Sequence, residues 1–125
     1  MKNLSRKVGE MEFDGLVTDI NPRTRVAGGT IAALTEAATY KRGTILGKAD
    51  ADGKLSLYDG TTTPDCILCD DTEIGTAEDV AVAAYMAGCF NPDKVIVADG
   101  YTLTEADKDK LRERGIVFKA AYPAL

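Results

Sequence analysis

The sequence predicts a mainly β domain with one short helix, an α+β fold. Several short segments alternate between apolar and polar side chains and are separated by glycine, aspartate and proline, which is typical of strands joined by turns. Only one stretch, near the carboxyl end, carries both a helix start signal and a stop signal. The length of 125 residues suits one domain, and such a domain buries about two-thirds of its unfolded surface. Self-association would therefore add usefully to its stability.

Residues 1–29 are predicted to be an extended N-terminal arm that precedes a β-rich domain at residues 30–125. Charged residues of both signs are interspersed in this stretch, and its apolar residues keep neither a period of 3.6 nor a period of 2. These apolar residues are Phe13, Leu16, Val17 and Ile20, with Pro22 after them. The alternative is an ordinary first strand, around residues 13–20, that packs on the domain.

The middle of the chain predicts strands at residues 30–34, 42–48 and 54–58. The segment Asp50-Ala51-Asp52-Gly53 lies between the last two and has the residues of a hairpin turn. Residues 59–65 are a predicted loop, residues 66–69 a short buried strand, and residues 94–97 another short strand. Residues 78–90 stay ambiguous, because their alanines favour a helix by propensity while Val80, Val82 and Tyr85 suit a long strand.

The helix prediction rests on its two ends. Thr104 is an N-cap, and Asp107, three residues later, makes a carboxylate variant of the capping box. Gly115 is a typical residue just after a helix end. Residues 116–118, Ile-Val-Phe, are then a closing strand.

Composition excludes several classes of function. The net charge of −5 argues against a nucleic-acid-binding protein, which would carry a basic stripe. The chain has no histidine and therefore lacks the usual acid–base group and the commonest metal ligand. No apolar run approaches the roughly 20 residues that span a bilayer. Three cysteines without a secretory signal indicate free thiols in a reducing cytoplasm.

Two groups of residues suggest a redox or metal site, and a structural role or solvent exposure explains each of them more simply. Cys66 and Cys69 have CxxC spacing, but Ile and Leu between them favour a strand, on which the two thiols point to opposite faces. A dense set of acids suggests a cation site, yet these residues flank strand ends, where solvated acids are common. They are Asp65, Asp70, Asp71, Glu73, Glu78 and Asp79. We predict no catalytic residue, no metal site and no cofactor.

Residues 66–119 carry a resemblance to a known family. They give a strand, an acidic loop, a long alternating strand that ends in Gly88-Cys89-Phe90-Asn91, a short strand, a capped helix with a Gly115-Ile116 exit, and a closing strand. This order resembles the head decoration (capsid-cementing) proteins of tailed bacteriophages, the lambda type. The family pattern decides for a strand at residues 78–90. It also implies a β-clip-like bent ribbon or incomplete barrel that forms trimers.

The resemblance implies a structural virion protein without enzymatic activity. Such a protein binds the outer surface of the expanded head at threefold positions as a homotrimer, contacts the major capsid protein and stabilises the capsid. It is made in the host cytoplasm and needs no nucleic acid, membrane or cofactor. The arm residues Phe13, Leu16, Val17, Ile20 and Pro22 are then the expected capsid contacts.

Two other functions stay open from the sequence. One is an oligomeric ligand-binding or enzyme subunit on a β-clip scaffold, with the acidic loops in its clefts. The other is a cytosolic CxxC redox protein, which would need thiols of unusually low pKa.

Overall fold

The computed structural model describes residues 15–19 and 23–119 of the chain. Along these residues eight strands are followed by one helix, α1, and a last strand. The expected mainly β fold with one short helix is confirmed. The elements are β1 (Val17–Asp19), β2 (Arg25–Ile31), β3 (Ala38–Tyr40), β4 (Ile45–Lys48), β5 (Leu55–Leu57), β6 (Thr63–Leu68), β7 (Thr72–Ile74), β8 (Val80–Phe90), α1 (Glu105–Glu113) and β9 (Ile116–Phe118).

Five of these strands close into a barrel. β8 pairs with β2 and with β6, β4 joins β6 to β5, and β5 returns to β2. The closure is narrow, because β2 and β5 pair at a single register position, Ile31 with Leu55. β1 and β9 are bonded to β8 outside the barrel, and β3 and β7 form a separate two-stranded sheet.

The long strand β8 connects the barrel to the strands outside it. Its first residues pair with β2, Ala84 and Tyr85 also pair with β6, and its last residues pair with β1 and β9. Gly88 lies at the transition with a φ of 146°, and a Cβ there would lie 2.9 Å from the Phe90 ring. Only glycine therefore suits this corner, and residues 78–90 form the predicted strand from Val80 onward.

The core lies on both sides of β6. Ile67 packs on one face with Ile45, Phe90 and other side chains, and Leu111 of α1 and Ile116 of β9 belong to the same cluster. Cys66 and Leu68 point to the opposite face, into a second cluster. Its other buried members are Ile31, Tyr40, Leu46, Leu55, Ile74 and Ala84. Burial of both faces makes β6 the central strand of the core.

The helix begins and ends as its local signals predict. The Thr104 side chain accepts a hydrogen bond from the Asp107 N–H, and the Asp107 carboxylate accepts one from the Thr104 N–H. Gly115 follows the helix with a φ of 101°, a conformation that favours glycine. These contacts are all local in sequence, which is why the sequence predicts them well.

Four expectations about strands need correction. Thr63 to Asp65, expected in a loop, belong to β6, because pairing with β4 overrides the local turn composition. β2 begins at Arg25, not at residue 30, since β8 pairs with it through the Gly28-Gly29 segment. Of residues 94–97, only Ile96 makes a bridge, to Thr44. The first strand, considered around residues 13–20 only as an alternative to the arm, is present as β1, whereas the three-residue strands β3 and β7 have too little pattern to be predicted.

Candidate functional site

The expected capsid-binding residues fall into two groups. Phe13, Ile20 and Pro22 lie outside the residues that the structure describes. Leu16 and Val17 lie at the beginning of the domain, where Leu16 is 2% exposed and belongs to the core cluster around Ile67. In this conformation Leu16 stabilises the domain and is not available to a partner.

Residues 15–19 are fixed to the end of β8. The Asn91 N–H donates to the Leu16 carbonyl at 2.8 Å, and Val17 is the register partner of Phe90. The residues that leave β9 approach the same place. The Lys119 ammonium lies 3.0 Å from an Asp19 carboxylate oxygen, and the Thr18 hydroxyl donates to the Lys119 carbonyl at 2.9 Å. The two ends of the described domain therefore touch.

The three thiols are free and buried. Cys66 and Cys69 belong to the two different core clusters, as their spacing on a strand predicts. Burial raises the pKa of the Cys66 thiol strongly and that of Cys69 to about 11. A redox pair needs an accessible thiolate, so this arrangement supports a structural role for both residues.

The acids divide into solvated residues and one buried residue. Asp70, Asp71, Glu73 and Glu78 are exposed, as expected. Asp65 is 6% exposed, against expectation, because β6 turns its side chain toward the end of α1. Arg114 donates to the Asp65 carboxylate and also to its carbonyl, at 3.3 Å. Within the described ranges, no three His, Cys, Asp or Glu side chains are placed to hold a metal ion.

A second buried carboxylate, Asp107, connects α1 to the barrel. It accepts a hydrogen bond from the Tyr58 hydroxyl at 2.6 Å and another from the Tyr101 hydroxyl. Burial alone would raise the pKa of Asp107, but the donors from Thr104, Tyr101 and Tyr58 outweigh burial and hold the pKa at about 2. Burial and the hydrogen bond to Asp107 raise the pKa of Tyr58. Asp107 therefore stays ionised as the capping residue of α1, and the Tyr58 and Tyr101 hydroxyls both donate their hydrogen bonds to it.

A cleft of about 460 Å³ lies between β2 and the β4–β5 hairpin. Gly28, Gly29 and Thr30 form one wall, and charged side chains form much of the rest. These are Lys48, Asp52, Lys54, Asp65 and Arg114. Two of the cations are already paired, Arg114 with Asp65 and Lys54 with Asp79. Leu55 and Met86 add apolar surface, so the lining is mixed and lacks the predominantly apolar character of a small-molecule site.

Among the described residues, none of these arrangements combines a nucleophile with a base. A family model described as Bacteriophage lambda head decoration protein D matches residues 8–117 of the 125-residue chain. The chain belongs to this family. The head decoration proteins are structural components of the phage capsid, which agrees with the resemblance found in the sequence. A search of curated proteins gave no match.

Membership in the head decoration family places the protein with the virion capsid. In the part of the chain that the structure describes, no helix has the length and apolar character needed to cross a membrane. Sequence reasoning missed the exposed part of β2, the Asp65–Arg114 pair and the tyrosine contacts of Asp107. The Asp65–Arg114 pair and the Tyr58–Asp107 contact each join residues that are 49 positions apart in the chain, so no local pattern predicts them.

Proposed function

We propose that this protein binds the outer surface of the expanded phage head at its threefold positions as a homotrimer and stabilises the capsid there. Its partner is the major capsid protein, and assembly takes place in the host cytoplasm. The observation that carries the proposal is the family match over residues 8–117. The buried thiols and the absence of paired catalytic groups in the described residues favour it over a redox protein or an enzyme.

We assign attachment to an N-terminal arm at residues 1–14. This is narrower than the arm of residues 1–29 expected from sequence, because residues 15–19 contain β1 and the buried Leu16, and residues 25–29 belong to β2. Ordering such an arm costs about 1–2 kcal/mol per residue in backbone entropy. Strand addition to a capsid edge offsets that cost through main-chain hydrogen bonds and side-chain pockets. Three arms in one trimer would then bind with avidity.

The test is decoration of purified expanded heads that lack their decoration protein. We expect the full chain to cosediment with these heads, to appear by electron microscopy as knobs at threefold positions, and to raise the temperature at which the heads rupture. Heads that bind the protein elsewhere, or that gain no stability, would contradict the proposal.

The role of the arm is tested by deleting residues 1–14. The truncated chain is expected to fold and self-associate as the full chain does, but not to bind heads. Phe13→Ala should weaken binding more than Lys2→Ala, because an exposed ion pair contributes only about 0–1 kcal/mol. Decoration by the truncated chain at full strength would move attachment from the arm to the body of the trimer.

A further inference from the structure

One half of β2 stands clear of the core on both of its faces. Residues Arg25 to Gly28 are all exposed, and only Ile31, at the other end of the strand, is fully buried. Alternate residues of a barrel strand normally point inward. Exposure of consecutive residues shows that this half of β2 lies outside the core, although Tyr85 and Ala84, which face it in β8, are buried.

The outer edge of this half of β2 is unpaired. β2 pairs with β8 along its whole length, from Arg25 opposite Ala87 to Ile31 opposite Val80. On its other edge it meets β5 only at Ile31. Among the described residues, no strand pairs with residues 25–30 on that edge. Gly28, Gly29 and Thr30 of this edge line the cleft together with Lys48 and Arg114.

This edge lacks the features by which proteins protect exposed strands. Such edges usually carry charges, proline or a bulge that prevents pairing with another chain. The segment Val26-Ala27-Gly28-Gly29-Thr30 has no charge and no proline, and the register shift of β2 lies before it, between Arg25 and Val26. Val26 is 52% exposed, more than any other large apolar side chain of the described residues.

The geometry points to a second copy of this chain as the partner that covers the edge of β2. We propose that an extended segment of the neighbouring subunit pairs with residues 26–30 and fills the cleft. This inference rests on the homotrimer proposed above and names its contact surface. In a threefold ring the contact is head-to-tail, so the edge of β2 meets a different surface of the next subunit and not another β2.

Two observations favour a second copy over a partner met later. An uncharged edge needs cover from the moment the chain folds, and only another copy of the same chain is always present at that time. Val26 is the second observation. It adds an apolar side chain, 52% exposed, to the same edge, and this surface also needs cover as soon as the chain folds.

The experiment combines two edge variants with hydrogen exchange. Val26→Lys and Gly28→Lys place a charge on the edge, and a Cβ at Gly28 would meet only the Val82 carbonyl, at 3.9 Å. Ile96→Lys is the matched control, because Ile96 is the other exposed large apolar residue, at 40%. By sedimentation, each edge variant should raise the dissociation constant of self-association by about tenfold or more, and the control by about twofold or less.

Hydrogen exchange of the main-chain amides in the wild-type protein shows whether another chain covers the edge of β2. Amides in residues 25–30 should gain protection as the protein concentration rises, whereas those of β3 should not change. Trimers that persist in both edge variants would overturn this inference and leave the proposed function intact. Protection that disappears on deletion of residues 1–14, or that arises only on heads, would identify the arm or the capsid protein as the occupant instead. A wild-type chain that is monomeric both in solution and on heads would refute this surface and the homotrimer together.

Discussion

β2 and β6 pair with the same strand, β8, but they differ in burial and therefore in role. Five of the six residues of β6 are buried, whereas five of the seven residues of β2 are exposed. β6 has a core cluster on each face and α1 beside it, and β2 has solvent on both faces over half its length. The comparison separates a strand that holds the domain together from one that is free to meet a partner. Changes in β6 should therefore affect folding, and changes in β2 should affect assembly.

The largest effect is expected at the centre of β6. Ile67→Ala removes a side chain that is 0% exposed and leaves a cavity, so the free energy of unfolding should fall by about 3 kcal/mol. Val26→Ala in β2 is the control, and it should change the free energy of unfolding by less than about 0.5 kcal/mol. Urea denaturation of the two variants gives both values. Similar losses at the two positions would mean that β2 belongs to the folding core.

The next effect concerns the ion pair on the edge of β6. Arg114→Met leaves the buried Asp65 carboxylate without its cation, and we expect a loss of about 2 kcal/mol. Arg114 is partly exposed, so water replaces some of the lost interaction. The double variant Asp65→Asn with Arg114→Met should recover part of the loss, since it removes the unpaired charge. Equal stability of Arg114→Met and the wild type would show that the pair contributes nothing, and equal stability of the single and double variants would show that the unpaired Asp65 carboxylate costs nothing.

The next prediction concerns α1, which packs beside β6, and the pH dependence of the stability that Asp107 provides. The pKa of Asp107 is about 2 in the folded protein, below its ordinary value of 3.8, so the folded state favours the charged form. The resulting stabilisation, about 2 kcal/mol, is complete above pH 3.8 and is lost as the pH falls through 2.

Asp107→Asn tests that assignment. Its stability should fall below that of the wild type at neutral pH, and the difference should shrink as the pH falls from 4 toward 2, as thermal denaturation at several pH values would measure. Glu105→Gln is the control, since Glu105 is exposed in the same turn. A difference that stays constant down to pH 2 would contradict the assigned pKa.

The smallest effect is expected on β2. Gly28→Ala should be neutral or stabilise the protein by up to about 0.5 kcal/mol, because its Cβ has space and the unfolded chain loses freedom. The matched variant is Gly47→Ala in β4, where a Cβ would lie 1.9 Å from the Thr62 hydroxyl oxygen. We expect that variant to lose about 2 kcal/mol or more. Thermal denaturation of both shows whether β2 is as open as its exposure indicates.

The same two strands show how much of this fold can be read from sequence. The α1 caps depend on neighbours in the chain and are predicted from them, whereas the strand at residues 78–90 is ambiguous by pattern and is predicted from the family resemblance. The true limits of β2 and β6 depend on pairing with β8 and β4, which are distant in sequence. The strands expected to begin at residues 30 and 66 therefore begin earlier, at Arg25 and Thr63.

The candidate site was harder to predict than the fold. Nothing in the local pattern distinguishes Leu16, a core residue, from Phe13, which precedes the described domain. Burial is a property of the folded neighbourhood, and a sparse apolar sequence does not specify it. The family resemblance, which rests on the order of elements, carried the function instead.

The contact between residues 15–19 and residue 119 makes the described chain nearly a closed ring. Both ends lie against the last residues of β8, joined through Lys119 and the β1 residues Thr18 and Asp19. A short linker from residue 119 to residue 15 would leave every strand pairing in place, and new ends would fit in the exposed turn at residues 76–78. The order of the strands in the chain is thus separable from their arrangement in space. A protein fused after residue 119 would begin beside residues 18 and 19.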